Sequence, residues 1–497
     1  MVNSSPVATT TSGPVFGRER DGVLSFAGIP YAAPPVGHNR FGPPQPVEAW
    51  SEPRDATRFT KGAPQRPGDG LTSAAALPWD EAECLSLNVQ TPAVDGARPV
   101  MVWIHGGDFR HGMGAIPWYN GARFAEQGDV VVVSINYRLG AFGFTYLDHL
   151  DDELAGSGVV GILDQLAALQ WVQDNIASFG GDPERVTIAG ESAGAFSVGT
   201  LLSLPAAQPL FAQAILQSGA AHAVHDAEQG QGVARWLFEA AGVASGSVEG
   251  LRSLGAERLL DAQEELYGRS PAELGLMNSP FYPVVDGVVL PRRPIDAIAA
   301  GVGCDKPVLM GTNADETRLW GTQQTTDDRL EGFVARTHPD PAAAIDRYRE
   351  AGRATSAGDL AVAIGGDAMF GVPAVRMADA RAAHGADTWM YRFSWQSRAF
   401  EGALGACHAL EIPFVFDNLH QPGVDLFIGP GPDPQPVADI MHATWISFLR
   451  HGRPGFDGGP EWLAYSPEQR SLIDFDTTTT WRPDPVIDTI DCWSGVR

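Results

Sequence analysis

The sequence predicts an α/β protein with a mostly parallel central sheet flanked by helices. Two observations carry this. Apolar runs of strand length recur along the chain, and stretches of helical spacing alternate with them without any internal repeat or low-complexity linker. The first sixty residues precede that pattern; their segment GIPYAAPPVGHNRFGPPQP (28–46) suits extended chain and turns, with Phe26, Ile29, Tyr31 and Phe41 expected to pack. PVMVWI (99–104) and VVVVSI (130–135) then read as strands buried on both faces. Between 161 and 178, Ile162, Leu166, Leu169, Val172 and Ile176 recur at helical spacing. RVTIAG (185–190) is a strand and SAGAFSVGTLLSL (192–204) a helix, followed by the strands QAILQ (213–217), PVLMG (307–311), WMYRF (389–393) and SLIDF (471–475). The Ala-rich regions 228–300 and 320–385 read as helical insertions that form a lid or pocket region.

Bulk properties narrow the function. At 497 residues a length rule would suggest about three domains, but no composition shift marks a boundary, so one domain over 1–497 is expected. Acidic residues outnumber basic ones 60 to 34, and a net charge of −26 repels nucleic acid and anionic membranes, so neither is expected as a partner. Cys84, Cys304, Cys407 and Cys492 include no C-x-x-C pair and imply no zinc site, redox pair or disulfide framework. The opening MVNSSPVATTTSGPV lacks the basic and apolar regions of an export signal, and no apolar run approaches the about 18 residues that span a bilayer. A soluble, cytoplasmic protein is the expectation.

Gly190-Glu191-Ser192-Ala193-Gly194 raises the question of chemistry, because it lies between a strand and a helix, where open α/β sheets carry reactive groups. A turn sharp enough to project Ser192 Oγ above the sheet demands small neighbours, and the helix that follows aims its N-terminus at a developing oxyanion. By itself the pentapeptide is equally compatible with a structural turn, since the chain has 57 Gly.

Longer motifs decide between the two. FGGDPERVTIAGESAG (179–194) resembles the serine signature of the type-B carboxylesterase/lipase family, the cholinesterase-like group with the α/β-hydrolase fold, and ECLSLNV (83–89) resembles its second signature. FAGIPYAAPPVGHNRF, WIHGGDF, INYRLGAFGF, DQLAALQWVQDNIASFGGDP, GTNADET and HALEIPFVF follow the family pattern over nearly the whole chain. The resemblance implies a bacterial-type carboxylesterase, a serine hydrolase that cleaves small-molecule carboxylic esters through an acyl-enzyme intermediate and needs no metal or organic cofactor. It implies Ser192 as nucleophile, His408 of GACHALEIPFVF as general base, and Glu316 of GTNADET, rather than Asp315, as the carboxylate that orients the imidazole. Asp315 is expected to be a solvated or ion-paired loop acid, and Thr317 stands where the family commonly has Gly.

By the same resemblance the amides of Gly107, Asp108 and Ala193 form an oxyanion hole, with Gly106, Glu191 and Ser218 in support. Asp108 departs from the usual Gly or Ala. A carboxylate aimed at an oxyanion would destabilise it, so the side chain is expected to point away or be held by hydrogen bonds, with positioning of the deacylating water or of a polar substrate group as the alternative. His105 is expected to brace the loop, Arg138 to form a structural ion pair and Cys407 to fill space. Trp79, Phe109, Trp118 and Tyr119 are read as core or pocket wall. Two rivals remain: an amidase or carbamate hydrolase using the same residues, and a non-catalytic, cholinesterase-like binding protein.

Overall fold

The computed structural model describes residues 5–67, 78–269 and 279–496. The chain forms two compact units, one of Met1–Ala214 with Ala221–Ala297, the other of Ile215–Ala220 with Ile298–Arg497.

In the first unit the strands lie in the order Gly181–Glu191, Arg98–Ile104, Val131–Ile135, Ser86–Thr91, Val23–Pro30, Arg18–Arg20. Arg98–Ile104 pairs in parallel with both Val131–Ile135 and Gly181–Glu191, while the remaining neighbours are antiparallel. The parallel strands are the apolar runs of the sequence: Val100, Met101, Val102, Trp103 and Ile104 are wholly buried, as strands covered on both faces must be. Helices Val160–Asn175 and Ala193–Ser203 occupy the stretches read as helical. The Pro-rich start also contributes strands, of which Val7–Thr10, Gly13–Phe16 and Arg54–Asp55 make a separate small sheet. Helices Ala227–Ala241 and Ala256–Tyr267 fill part of the region read as a helical insertion, the first begun by a capping box between Asp226 and Gln229. Residues 270–278 of that region lie outside the described residues.

In the second unit Val308–Asn313 neighbours the strand Gln213–Gln217, of which residues 215–217 belong to this unit. It continues in parallel through Thr388–Phe393 to Ser471–Phe475, and ends on antiparallel Thr480–Pro483. Helices Asp327–Val334, Pro341–Glu350 and Ala357–Gly366 occupy the second Ala-rich region. The last continues through a wide π turn, Asp367–Gly371, into Val372–Ala382. This helix of 26 residues has the length and composition of a membrane span, contrary to the expectation that no apolar stretch approaches that size, yet 72% of its apolar window is buried inside the protein. It is a core helix whose polar interruptions have partners: Asp367 accepts from Tyr348 Oη at 2.7 Å and pairs with Arg353 at 3.0 Å.

Candidate active site

In the first unit Ser192 occupies the corner between strand Gly181–Glu191 and helix Ala193–Ser203, with φ 56° and ψ −124°. A non-glycine residue held there is strained, and such strain persists only where the surroundings over-determine it. The flanking glycines show how they do so. A Cβ on Gly190 would lie 2.5 Å from the carbonyl carbon of Gly194 and 2.8 Å from Ile104 O, and one on Gly194 would collide with the same Ile104 carbonyl. No side chain fits at either position, so the pentapeptide can close and present Ser192 at the helix N-terminus. Ala193 is the first helical residue, and its amide has no acceptor one turn back within the helix.

The HGGDF loop lies against this corner in the same unit. A Cβ on Gly106 would come within 2.8 Å of Glu191 Oε2 and 3.1 Å of Ser192 Cβ, so glycine allows the loop its approach. Gly107 (φ 111°), Asp108 (φ 56°) and Phe109 (φ 55°) all take left-handed backbone, and the Gly107 carbonyl accepts from the amides of Arg110 (2.9 Å) and His111 (3.0 Å). His105 braces the turn from within: its Nδ1 lies 2.8 Å from Gly106 O, its ring stacks on Tyr137 at 4.6 Å, and Tyr137 Oη donates to its carbonyl at 2.8 Å. Burial lowers the His105 pKa to about 4, so at neutral pH the ring is an uncharged strut. The half-buried Asp108 carboxylate accepts hydrogen bonds from Ser279 Oγ and, at 2.9 Å, Tyr282 Oη.

In the second unit His408 Nδ1 lies 2.7 Å from Glu316 Oε2, both groups being buried. Glu316 Oε1 accepts from Ser218 Oγ and from the Asn313 amide, each at 2.7 Å, and the His408 amide donates to Glu316 O at 3.1 Å. A carboxylate with donors on both oxygens is fixed in orientation, and it fixes the imidazole tautomer with Nδ1 protonated. Beside it stands the fully buried Glu411, which accepts from Asn313 Nδ2 at 2.6 Å and Gln217 Nε2 at 3.1 Å. Burial, with the neighbouring Glu316 charge, pushes the Glu411 pKa up. Phe370 stacks on the His408 ring at 4.8 Å, and Trp320 approaches it at 5.0 Å. Phe370 reaches this position from the π turn.

The residues singled out in the sequence thus fall into two sets. Ser192, Ala193, Glu191, Gly106, Gly107 and Asp108 come together in the first unit, and Glu316, His408 and Ser218 in the second. Asp315 instead pairs with Arg318 at 3.4 Å and accepts from the Ala406 amide at 3.0 Å. Arg138 forms a buried pair with Asp164 at 2.6 Å. Phe109, Trp118, Cys84 and Cys407 are buried, and Tyr119 packs against Trp103 at 5.3 Å. Sequence reading missed Gln217, Asn313, Trp320, Phe370 and Glu411; Asn313 and Glu411 lie inside GTNADET and HALEIPFVF, which was the one available signal.

The family model described as the carboxylesterase family matches residues 4–489. A para-nitrobenzyl esterase of Bacillus subtilis is 38% identical over 490 residues, covering 96% of each chain. A phenmedipham hydrolase of Pseudarthrobacter oxydans is 37% identical, covering 94% of each. Among solved structures, a carboxylesterase of Geobacillus stearothermophilus superposes with a TM-score of 0.87 at 42% identity, covering 98% of this chain and 99% of that one. The chain belongs to the carboxylesterase family, with the α/β-hydrolase fold and the carboxylic ester hydrolase activity of that family.

Proposed function

We propose that Ser192, His408 and Glu316 form the catalytic triad of this esterase, with the amides of Gly107, Asp108 and Ala193 as its oxyanion hole and a small-molecule ester as substrate. Ser192 Oγ attacks the ester carbonyl as His408 Nε2 takes its proton. The imidazolium returns that proton to the departing alkoxide, and the alcohol leaves an acyl-enzyme. Water then attacks the acyl carbonyl with His408 again as base, releasing the acid and restoring Ser192. Both tetrahedral intermediates carry their negative oxygen, which amides fixed in advance would stabilise without rearrangement. Glu316 orients the ring and stabilises the imidazolium that forms.

The observation that carries this reading is the buried His408 Nδ1–Glu316 Oε2 contact of 2.7 Å, which turns a histidine into a base of defined tautomer. The test is labelling with a fluorophosphonate followed by intact-protein mass measurement. The expected result is one adduct on the wild type, none on Ser192→Ala, and parallel loss of nitrophenyl ester turnover. An adduct that persists on Ser192→Ala refutes the assignment. The second reading, hydrolysis of amides or carbamates by the same residues, is favoured by the relative named phenmedipham hydrolase rather than esterase. Matched ester, carbamate and anilide substrates separate the two. The four free cysteines support a reducing, cytoplasmic compartment.

A further inference from the structure

We infer that Asp108 is a positioning residue, whose carboxylate ties the Ser279–Tyr282 segment to the loop at 105–109 and thereby fixes the loop amides. The inference rests on the reading of that loop as the oxyanion hole. An acidic side chain at this point would be harmful if its charge faced the oxyanion. Instead each oxygen is taken by an O–H donor from the same short segment, Ser279 Oγ on one and Tyr282 Oη on the other. A carboxylate is the one side chain of this size that accepts on both arms, and its tolerance of left-handed backbone suits the φ of 56°.

The segment held in this way touches both neighbouring elements. The Tyr282 ring meets Phe109 of the loop edge-on at 5.3 Å and Phe196 of helix Ala193–Ser203 at 6.4 Å. On its remaining side His225 stacks on Tyr282 at 5.6 Å, and His225 Nε2 lies 2.9 Å from the carbonyl oxygen of Ser279. Tyr282 therefore stands between the loop that offers two amides and the helix that offers the third. Asp108 fastens it there. Burial raises the Asp108 pKa, while the two O–H donors and the nearby Arg110 oppose that rise. Each carboxylate oxygen thus has a donor within the protein, and both donors come from the one segment that Asp108 fastens.

The test compares Asp108→Gly, Asp108→Asn and the pair Ser279→Ala/Tyr282→Phe, with kcat expressed per site titrated by fluorophosphonate. Gly relieves the backbone and removes the tether, so its loss cannot be assigned to strain. Asp108→Gly is expected to lower kcat about 10- to 100-fold with KM changed less than about threefold, the signature of mispositioned transition-state donors. Asp108→Asn, which keeps one acceptor and the left-handed backbone, is expected to recover most of the rate. Ser279→Ala/Tyr282→Phe should match Asp108→Gly, and the triple variant should show no added loss. Unchanged kcat per site in Asp108→Gly, or losses that add in the triple variant, would overturn the inference. A separate measurement reads the loop itself: the wild type should bind a trifluoromethyl ketone far more tightly than the matching methyl ketone. If it does not, the oxyanion reading fails and the inference falls with it; if it does and Asp108→Gly discriminates equally well, the inference alone is refuted.

Discussion

The serine corner and the histidine pocket are held in shape by opposite means. Around Ser192 the constraint is steric: Gly190, Gly194 and Gly106 leave no room for a Cβ, and the backbone is forced into a strained φ of 56°. Around His408 the constraint is directional: Glu316 collects donors from Ser218, Asn313 and His408, and Glu411 collects them from Asn313 and Gln217. The first kind of order is announced by glycines close in sequence and closed by the 104–106 backbone, the second is assembled from polar side chains of distant segments. A corner made by exclusion tolerates no enlargement, while a network of hydrogen bonds can lose one member and keep the rest.

Substitutions can break or sharpen this contrast. Ser192→Ala removes the proposed nucleophile, and ester turnover should fall about 10,000-fold or more with little change in melting temperature. Gly190→Ala tests exclusion: with backbone atoms on both sides of the added methyl, unfolding free energy should drop by about 3 kcal/mol, and activity by about 100-fold, measured by denaturation and by rate per active site. An alanine enzyme of full activity would show that the corner has slack. Ser218→Ala tests the network. Losing one donor to a buried carboxylate is worth about 1–3 kcal/mol, but the Asn313 amide remains on the same oxygen, so a rate loss of only about 3- to 10-fold is expected. A loss as large as that of Ser192→Ala would make the network as brittle as the corner.

The smallest effect concerns pH. Glu411 has a folded-state pKa above its ordinary 4.5, so the folded protein keeps this proton at pH values where the unfolded chain has released it. Its contribution to stability is full below about 4.5 and is lost as pH rises through the folded value. Denaturation midpoints of Glu411→Gln should therefore improve relative to wild type as pH increases from 4.5 towards neutrality. A difference independent of pH would mean that Glu411 is not the buried charge described.

The same contrast explains what could be read in advance. The buried strands 99–104, 130–135 and 213–217 follow from short apolar runs, and the serine corner follows from glycines within five residues, because both signals are local. The antiparallel strands Val23–Pro30 and Ser86–Thr91 carry no clear strand pattern, since Pro and Gly mask the first and mixed polarity the second. Asn313, Gln217 and Glu411 carry no spacing rule at all. Their roles arise only when three segments converge on one carboxylate pair. Phe370 was hidden for a different reason: an apolar residue in an Ala-rich helix looks like any other core position.

That last residue has a consequence for how the protein can change. The wide turn at Asp367–Gly371 holds one residue more than a regular coil would, and each residue of an α-helix advances the side-chain direction by about 100°. Deleting a single residue there would restore regular winding and swing the aromatic away from the imidazole, while leaving the composition of the segment almost intact. Length, more than chemistry, is the quantity this stretch has to preserve.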